Sequence, residues 1–214
     1  MKKVDTAHNF NSAMIGMILA DGSMPKENYL YLRHGGKQLN YVDEKVEYLS
    51  NYLQPSSVRS AFDKKGYEYR YAFYNSDKLK YLYRNIYAGE NGKKVLKTNI
   101  INRMDAISLA FIYMDDGCLS LRKDPKYEDV YKSREIHLNV QSFTMSEVQQ
   151  LKAHILKKFD VDFHITTDKG KPRMWCNTSN TIKFLTVVAP IVKEFPSMLY
   201  KLDLKYKKKN IKFI

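Results

Sequence analysis

The sequence predicts an α+β chain of two pseudo-symmetric halves, each in the order αββαββα. Two observations carry that prediction. An apolar run ending in Asp-Gly occurs twice, as MIGMILADG over residues 14–22 and LAFIYMDDG over 109–117, with Asp21 and Asp116 separated by 95 positions. The segments downstream of each run also recur. Within the segments 43–53 and 146–156, Val46 falls over Val148 and Leu49 over Leu151, at an offset of 102, and LKYL (79–82) matches IKFL (182–185) at 103. The offset grows by about seven after the second motif, which places the extra residues in the charged segment RKDPKYEDVYKS (122–133), read as a loop. A repeat of this length is too long for a solenoid and implies two halves about a pseudo-twofold axis.

Each element has its own signal. Each motif run is apolar throughout, as a helix buried on all sides would be, and ends at its Asp-Gly. NYLYLR (28–33) and YEYRYAFY (67–74) alternate with period two, the mark of strands with one covered face. YVDEKVEYLSNYL (41–53) places Val42, Val46, Leu49 and Leu53 at helical spacing. SFTMSEV (142–148) reads as a capping box, with Thr144 as cap, Glu147 at the third helical position and Phe143 poised to staple against Val148. DKGKP (168–172) is a turn between strands. NTSNTIKFLTVVAPIV (177–192) opens on cap residues and predicts a helix to near Pro190. The halves are placed at residues 1–92 and 104–214, joined by a linker at 93–103.

Composition narrows the partners. The 214 residues hold 36 Lys and Arg against 23 Asp and Glu, a net charge of +13, which suits a protein that meets a polyanion. Cys118 and Cys176 are the only cysteines, with no C-x-x-C and no Cys/His ligand spacing, so no zinc site is indicated and a reducing compartment fits. No apolar run approaches the ~20 residues that span a bilayer, and MKKVDTAHNF lacks an apolar signal core. The expected setting is intracellular: the cytoplasm or nucleoid of a bacterial or phage host, or an organelle matrix.

The paired aspartates carry the chemistry. A carboxylate at the C-terminal end of a helix opposes the macrodipole and is disfavoured by about 0.3–1 kcal/mol. Asp21 and Asp116 both take that place, each before a glycine suited to a left-handed helix terminus. A bound divalent cation would reverse the sign of that interaction. Gly16 and Ala20 give the first helix a small-residue stripe, which permits close approach of a second helix. If the motif helices pack side by side, both carboxylates emerge together, an arrangement suited to metal-assisted phosphodiester hydrolysis.

These two motifs, with SLAFIYMDDG and LNVQSFTMSEV in the second half, resemble the LAGLIDADG homing endonucleases in their monomeric two-motif form. The resemblance covers nearly the whole chain. The tetrad YMDD (113–116) also occurs on reverse transcriptase turns, but MIGMILADG has no counterpart there and the chain is too short for a polymerase palm. The resemblance implies saddle-shaped antiparallel sheets that bind DNA, motif helices packed at the central interface, and Mg2+- or Mn2+-dependent double-strand cleavage across the minor groove. It implies Asp21 and Asp116 as metal ligands and catalytic residues, together with one active-site lysine per half. Lys201, in YKL, is the second-half candidate. Lys94, in GKKVLK, is chosen for the first half, with Lys93 and Lys97 as rivals, because the family's following proline is missing. Phe111 and Asp115 stand where the family often has small residues, so Ala106 and Ala110 are expected to supply the close-packing face. Asp116 is preferred over Asp115 because it precedes Gly117 as Asp21 precedes Gly22.

Candidates for DNA contact are Tyr29, Tyr31, Arg33, Arg59, Tyr69 and Arg70 in the first half. In the second half they are Arg134, His137, Asn139, Gln141, His164, Thr166, Arg173 and Trp175. Arg, Asn and Gln read base edges, and Lys mainly holds phosphate. The five histidines show no ligand spacing and are read as bland or DNA-facing. Strands of about ten residues would span ~33 Å, so two halves would cover roughly twenty base pairs of duplex DNA. The lysine-rich segment over 200–214 is expected to touch phosphate or stay solvated. The alternative is an intron maturase that binds RNA on the same scaffold; either way a monomer with no membrane contact is expected.

Overall fold

The computed structural model describes residues 6–126 and 131–204. The first half runs α1 (Ala7–Leu19), β1 (Ser23–Lys26), β2 (Tyr29–Gly35), α2 (Leu39–Leu49), β3 (Ser57–Phe62), β4 (Glu68–Asn75) and α3 (Lys80–Ile86). A short helix, α4 (Thr98–Ile101), follows. The second half runs α5 (Ala106–Asp116), β5 (Gly117–Lys123), β6 (Tyr131–Leu138), α6 (Met145–Phe159), β7 (His164–Asp168), β8 (Lys171–Cys176) and α7 (Thr178–Val192), then a 3-10 segment (Pro196–Leu202). The strands form two four-stranded antiparallel sheets of matching order, β1-β2-β4-β3 and β5-β6-β8-β7.

Local chemistry fixes the element ends. Thr6 caps α1 by accepting from the amide of Asn9 at 3.1 Å. Asp105 caps α5 by accepting from the amides of Ile107 and Ser108 at 2.9 and 3.2 Å. The capping box at α6 is complete: Thr144 Oγ accepts from the Glu147 amide, and the Glu147 carboxylate accepts from the Thr144 amide. Phe143 and Val148 are both buried there. Lys169 and Gly170, with φ of 49° and 76°, turn the chain between β7 and β8. Asn177 caps α7, which continues two residues past Pro190.

Two expectations about extent are corrected. β5 and β6 reach into the charged segment, taking Arg122, Lys123 and residues 131–133; residues 127–130 lie outside the described residues. The longest strands have eight residues rather than ten, so one spans ~26 Å. The linker is built into the fold. Leu96, Ile100 and Ile101 are buried, and the Leu96 amide donates to Glu147 Oε1 at 2.7 Å.

The halves meet through α1 and α5. A Cβ added at Gly16 would lie 2.5 Å from the Ser108 carbonyl oxygen and 2.8 Å from Phe111 Cβ, so only glycine permits this approach. Ser108 Oγ donates to the Ser12 carbonyl at 2.8 Å, and Ser12 Oγ donates to Asp105 at 2.7 Å. The small residue that meets Gly16 is thus Ser108, directly before the second motif. Phe111 does not block the approach, because its ring packs edge-on against Tyr48 of α2 and against Phe195. Tyr41 of α2 also packs on Phe195. Aromatic packing therefore joins the first half's α2 to the second half, and a fully buried phenylalanine contributes about 1.5–3 kcal/mol.

Candidate active site

Both motif aspartates stand at the ends of the paired helices. Asp116 is the last residue of α5, and Asp21 lies two residues beyond α1. The following glycines are not left-handed as the sequence suggested. Gly117 has φ −83° and ψ 153°, and Gly22 is absent from the positive-φ residues. Their requirement is steric instead. A Cβ on Gly117 would lie 2.2 Å from Tyr113 Cδ2, and one on Gly22 would lie 2.6 Å from the Met17 carbonyl oxygen.

A lysine sits at each helix end. Lys94 Nζ donates to the Ala20 carbonyl at 2.6 Å. Lys201 Nζ donates to the carbonyls of Tyr113 and Gly117 at 3.1 and 2.7 Å. An ammonium is favoured at a helix C-terminus, and here it also offsets the misplaced carboxylate. Lys93 and Lys97 are exposed. The segment carrying Lys201 is fixed from the other half: Ser197 bonds Glu44 of α2 through its amide and hydroxyl, and Tyr200 accepts from Gln38 at 3.0 Å.

The electrostatics are those of crowded like charges. Burial, and then the carboxylates of Asp21 and Asp115, push Asp116 up to about 7. Burial and Asp115 also raise Asp21, whose side chain is 44% exposed. Burial lowers both Lys94 and Lys201 against the pull of these aspartates.

Asp115 is neutralised by a residue the sequence did not single out. Lys45 Nζ, fully buried on α2, donates to both Asp115 oxygens at 2.8 and 3.0 Å. His34 lies against the same ammonium at 2.8 Å and is buried on β2, so of the two readings given for the histidines, bland or DNA-facing, the second does not apply to it. Among the described residues, the group spaced to hold a metal ion is Asp21, His34 and Asp115, with ligand atoms within 4.8 Å of one another; Asp116 is outside that set. A signal for both missed residues exists in the sequence. Lys45 occupies an apolar-stripe position of α2 between Tyr41 and Leu49, and His34 continues the inward alternation of Leu30 and Leu32.

The sheet faces sort the remaining candidates. Tyr29, Tyr31 and Arg33 of β2 share the uncovered face with Arg59 of β3 and with Tyr69, Tyr71 and Phe73 of β4. Arg33 stacks over Tyr69 and Arg59 over Phe73, each at 4.9 Å, giving an aromatic surface studded with guanidinium groups. In the second sheet, His137, Trp175, Arg173, His164 and Thr166 share the corresponding face, with His164 stacked on Trp175 at 4.7 Å. Two expected contacts are corrected. Arg70 points to the helix side, where it pairs with Asp43 of α2 at 3.0 Å. Arg134 is buried on the inward face of β6 and donates to the carbonyls of Leu204 and Tyr131. Arginine at an inward position of an alternating strand has no access to a ligand on the other face. Asn139 and Gln141 lie past the end of β6, and the Asn139 amide faces the Asp116 carbonyl at 3.3 Å.

Two mirrored helix ends, each with an aspartate and a lysine, between two open sheet faces, define the class. Residues 11–184 match the LAGLIDADG DNA endonuclease family, and the chain belongs to that family. It is 26% identical over 200 residues to the probable intron-encoded endonuclease 1 of Wickerhamomyces canadensis, covering 88% of this chain and 81% of that protein. It is 28% identical over 198 residues to the RecA protein of Mycolicibacterium flavescens, covering 88% of this chain. The chain spans about half the length of the RecA proteins it matches, 45% in that case. Among solved structures, the homing endonuclease I-WcaI bound to its DNA recognition sequence superimposes with a TM-score of 0.70 at 25% identity, covering 94% of this chain and 88% of that one. The N-terminal LAGLIDADG domain of DUF199/WhiA shares the fold, with a TM-score of 0.53 at 10% identity. No helix among the described residues is long and apolar enough to cross a membrane.

Proposed function

We propose that the chain is a site-specific double-strand DNA endonuclease of the homing type, acting as a monomer. The observation that carries the reading is the repetition of one constellation, Asp21 with Lys94 and Asp116 with Lys201, at the ends of two packed helices. The resemblance to a DNA-bound homing endonuclease supports duplex DNA as the partner. The two uncovered faces, with Arg33, Arg59, Arg173 and their aromatic neighbours, would lie along the duplex. Their arginines suit phosphate and base-edge contacts, and their rings suit stacking against Arg.

The donors at the centre fit a hard divalent cation such as Mg2+ or Mn2+. Asp21 and Asp116 offer carboxylate oxygens; Asp116 is raised to about 7 by burial and then by the neighbouring carboxylates of Asp21 and Asp115, whose repulsion a cation would offset. Asp21 and Asp116 would hold the ions, which when bound activate water and stabilise the leaving oxygen of a phosphodiester. Lys94 and Lys201 hold positive charge at the two helix ends, where they would offset charge developing on a scissile phosphate.

The test is incubation with a randomised duplex library and Mg2+, followed by sequencing of the ends. Recovery of one long recognition sequence cut on both strands is expected. A library left intact by folded protein, or cut without sequence preference, would overturn the reading.

A further inference from the structure

Asp115 is the acidic side chain that the repeated constellation leaves unexplained. Its counterpart in the first motif is Ala20, and its carboxylate is fully shielded from solvent. Both its oxygens accept from Lys45 Nζ, which also lies 2.8 Å from His34 Nε2. An ammonium has donors and no acceptor, so His34 Nε2 must accept. The ring proton of the neutral imidazole then sits on Nδ1, the nitrogen 3.7 Å from Asp21 Oδ2. Asp21, His34, Lys45 and Asp115 thus form one chain of contacts from the first motif to the second. Lys45 is contributed by α2 of the first half and Asp115 by α5 of the second.

Without the lysine, the remaining three residues form a metal-ligand set. Asp21, His34 and Asp115 offer atoms within 4.8 Å of one another, two carboxylates and an imidazole, a mixture suited to Zn2+, Co2+ or Mn2+. Lys45 Nζ already contacts two of the three at hydrogen-bond distance. We propose that Lys45 is a tethered cation filling this position, and so a positioning residue that orients His34 beside Asp21 and closes the position to a metal ion. The proposal rests on the nuclease reading for the role of Asp21. A fixed ammonium in this position would keep an imidazole-seeking ion away from Asp21, the carboxylate of this set that the reaction uses.

The experiment is a Co2+ titration of metal-free protein without DNA, following the visible ligand-field absorption. Lys45→Met is expected to gain an intense, His34-dependent band saturating at one equivalent, which Lys45→Met/His34→Gln and the unaltered chain, whose Asp21 and Asp116 offer a cation only oxygen ligands, lack. If Lys45→Met is unfolded without metal, Co2+ is expected to restore its circular dichroism, because the ion replaces the ammonium. A folded Lys45→Met with no His34-dependent band, or an unfolded one that Co2+ does not restore, overturns the proposal. The readout involves neither DNA nor turnover, so a failed cleavage assay would remove the nuclease reading and leave this result standing.

Discussion

Lys201 Nζ stands 2.7 Å from the carbonyl oxygen of Gly117, the residue directly after Asp116. Lys94 Nζ also donates to a carbonyl next to a motif aspartate, that of Ala20, the residue directly before Asp21. Each lysine therefore stabilises a helix end and presents charge beside a motif carboxylate. Lys201→Met removes a charged donor from two main-chain carbonyls and should cost about 1–3 kcal/mol in urea unfolding. Single-turnover cleavage should fall by on the order of a hundredfold, as when one electrostatic donor is lost from an active site. Duplex affinity measured without turnover should stay near that of the unaltered chain. Unchanged cleavage by a folded Lys201→Met would remove the residue from the chemistry.

Gly16 tests the helix pairing. An alanine there would press its Cβ to 2.5 Å from the Ser108 carbonyl oxygen, main-chain atoms that yield only if α5 moves. Gly16→Ala should destabilise the chain by about 1–3 kcal/mol, the usual cost of overpacking. Because both carboxylates ride on these helices, cleavage should fall further than duplex affinity. A thermal midpoint equal to that of the unaltered chain would show that the helices are not held at this distance.

Four arginines separate the two sides of the sheets. Arg33→Ala and Arg59→Ala remove guanidinium groups from the uncovered face, and each should lower the salt slope of duplex binding by about one if it holds a phosphate. Arg70→Ala and Arg134→Ala remove groups bonded on the helix side, so they should affect stability and leave the slope unchanged. The slope of log affinity against log salt distinguishes the pairs. An Arg70→Ala variant that loses slope would contradict the assignment of faces.

The two thiols should differ sharply. Cys118 is exposed on the uncovered face of β5, opposite His137, whereas Cys176 is fully buried and its thiol is pushed up to about 11 by burial. One thiol should react promptly with an aromatic disulfide reagent in the native chain and the second only in denaturant. Bound duplex should slow the first. Prompt reaction of both thiols in folded protein would contradict the packing of β8.

The repeat and the alternating strands were legible because burial writes periodicity into a sequence. The recurring frame carried the αββαββα order, and the period-two alternation implied one covered face, on which the structure places Leu30 and Leu32 with Tyr31 and Arg33 opposite. Arg134 was misplaced because residue type was allowed to outweigh strand parity, which puts it in phase with buried Ile136 and Leu138. Parity also places Arg70 on the helix side, since it sits opposite to Tyr69 and Tyr71. The glycines after the motifs were assigned a left-handed backbone from local preference. Their cause is contact with Met17 and Tyr113, which depends on how the chain turns into the following strand. Lys45 was hidden for a related reason. Its place in the apolar stripe was visible, but its partner Asp115 is 70 positions away and joins it only when the halves pack.

The central claim is that Asp21 and Asp116 serve one shared centre, and the most direct measurement is the time course of nicked and linear product from supercoiled substrate. Asparagine keeps the shape of each side chain and removes its anionic charge. Asp21→Asn and Asp116→Asn should each lose cleavage of both strands while duplex binding persists, because the sheet faces carry affinity and the carboxylates carry chemistry. Accumulation of nicked product with opposite strand preference in the two variants would show two independent centres. Near-normal double-strand cleavage by Asp116→Asn would contradict the account and move the second carboxylate role to Asp115.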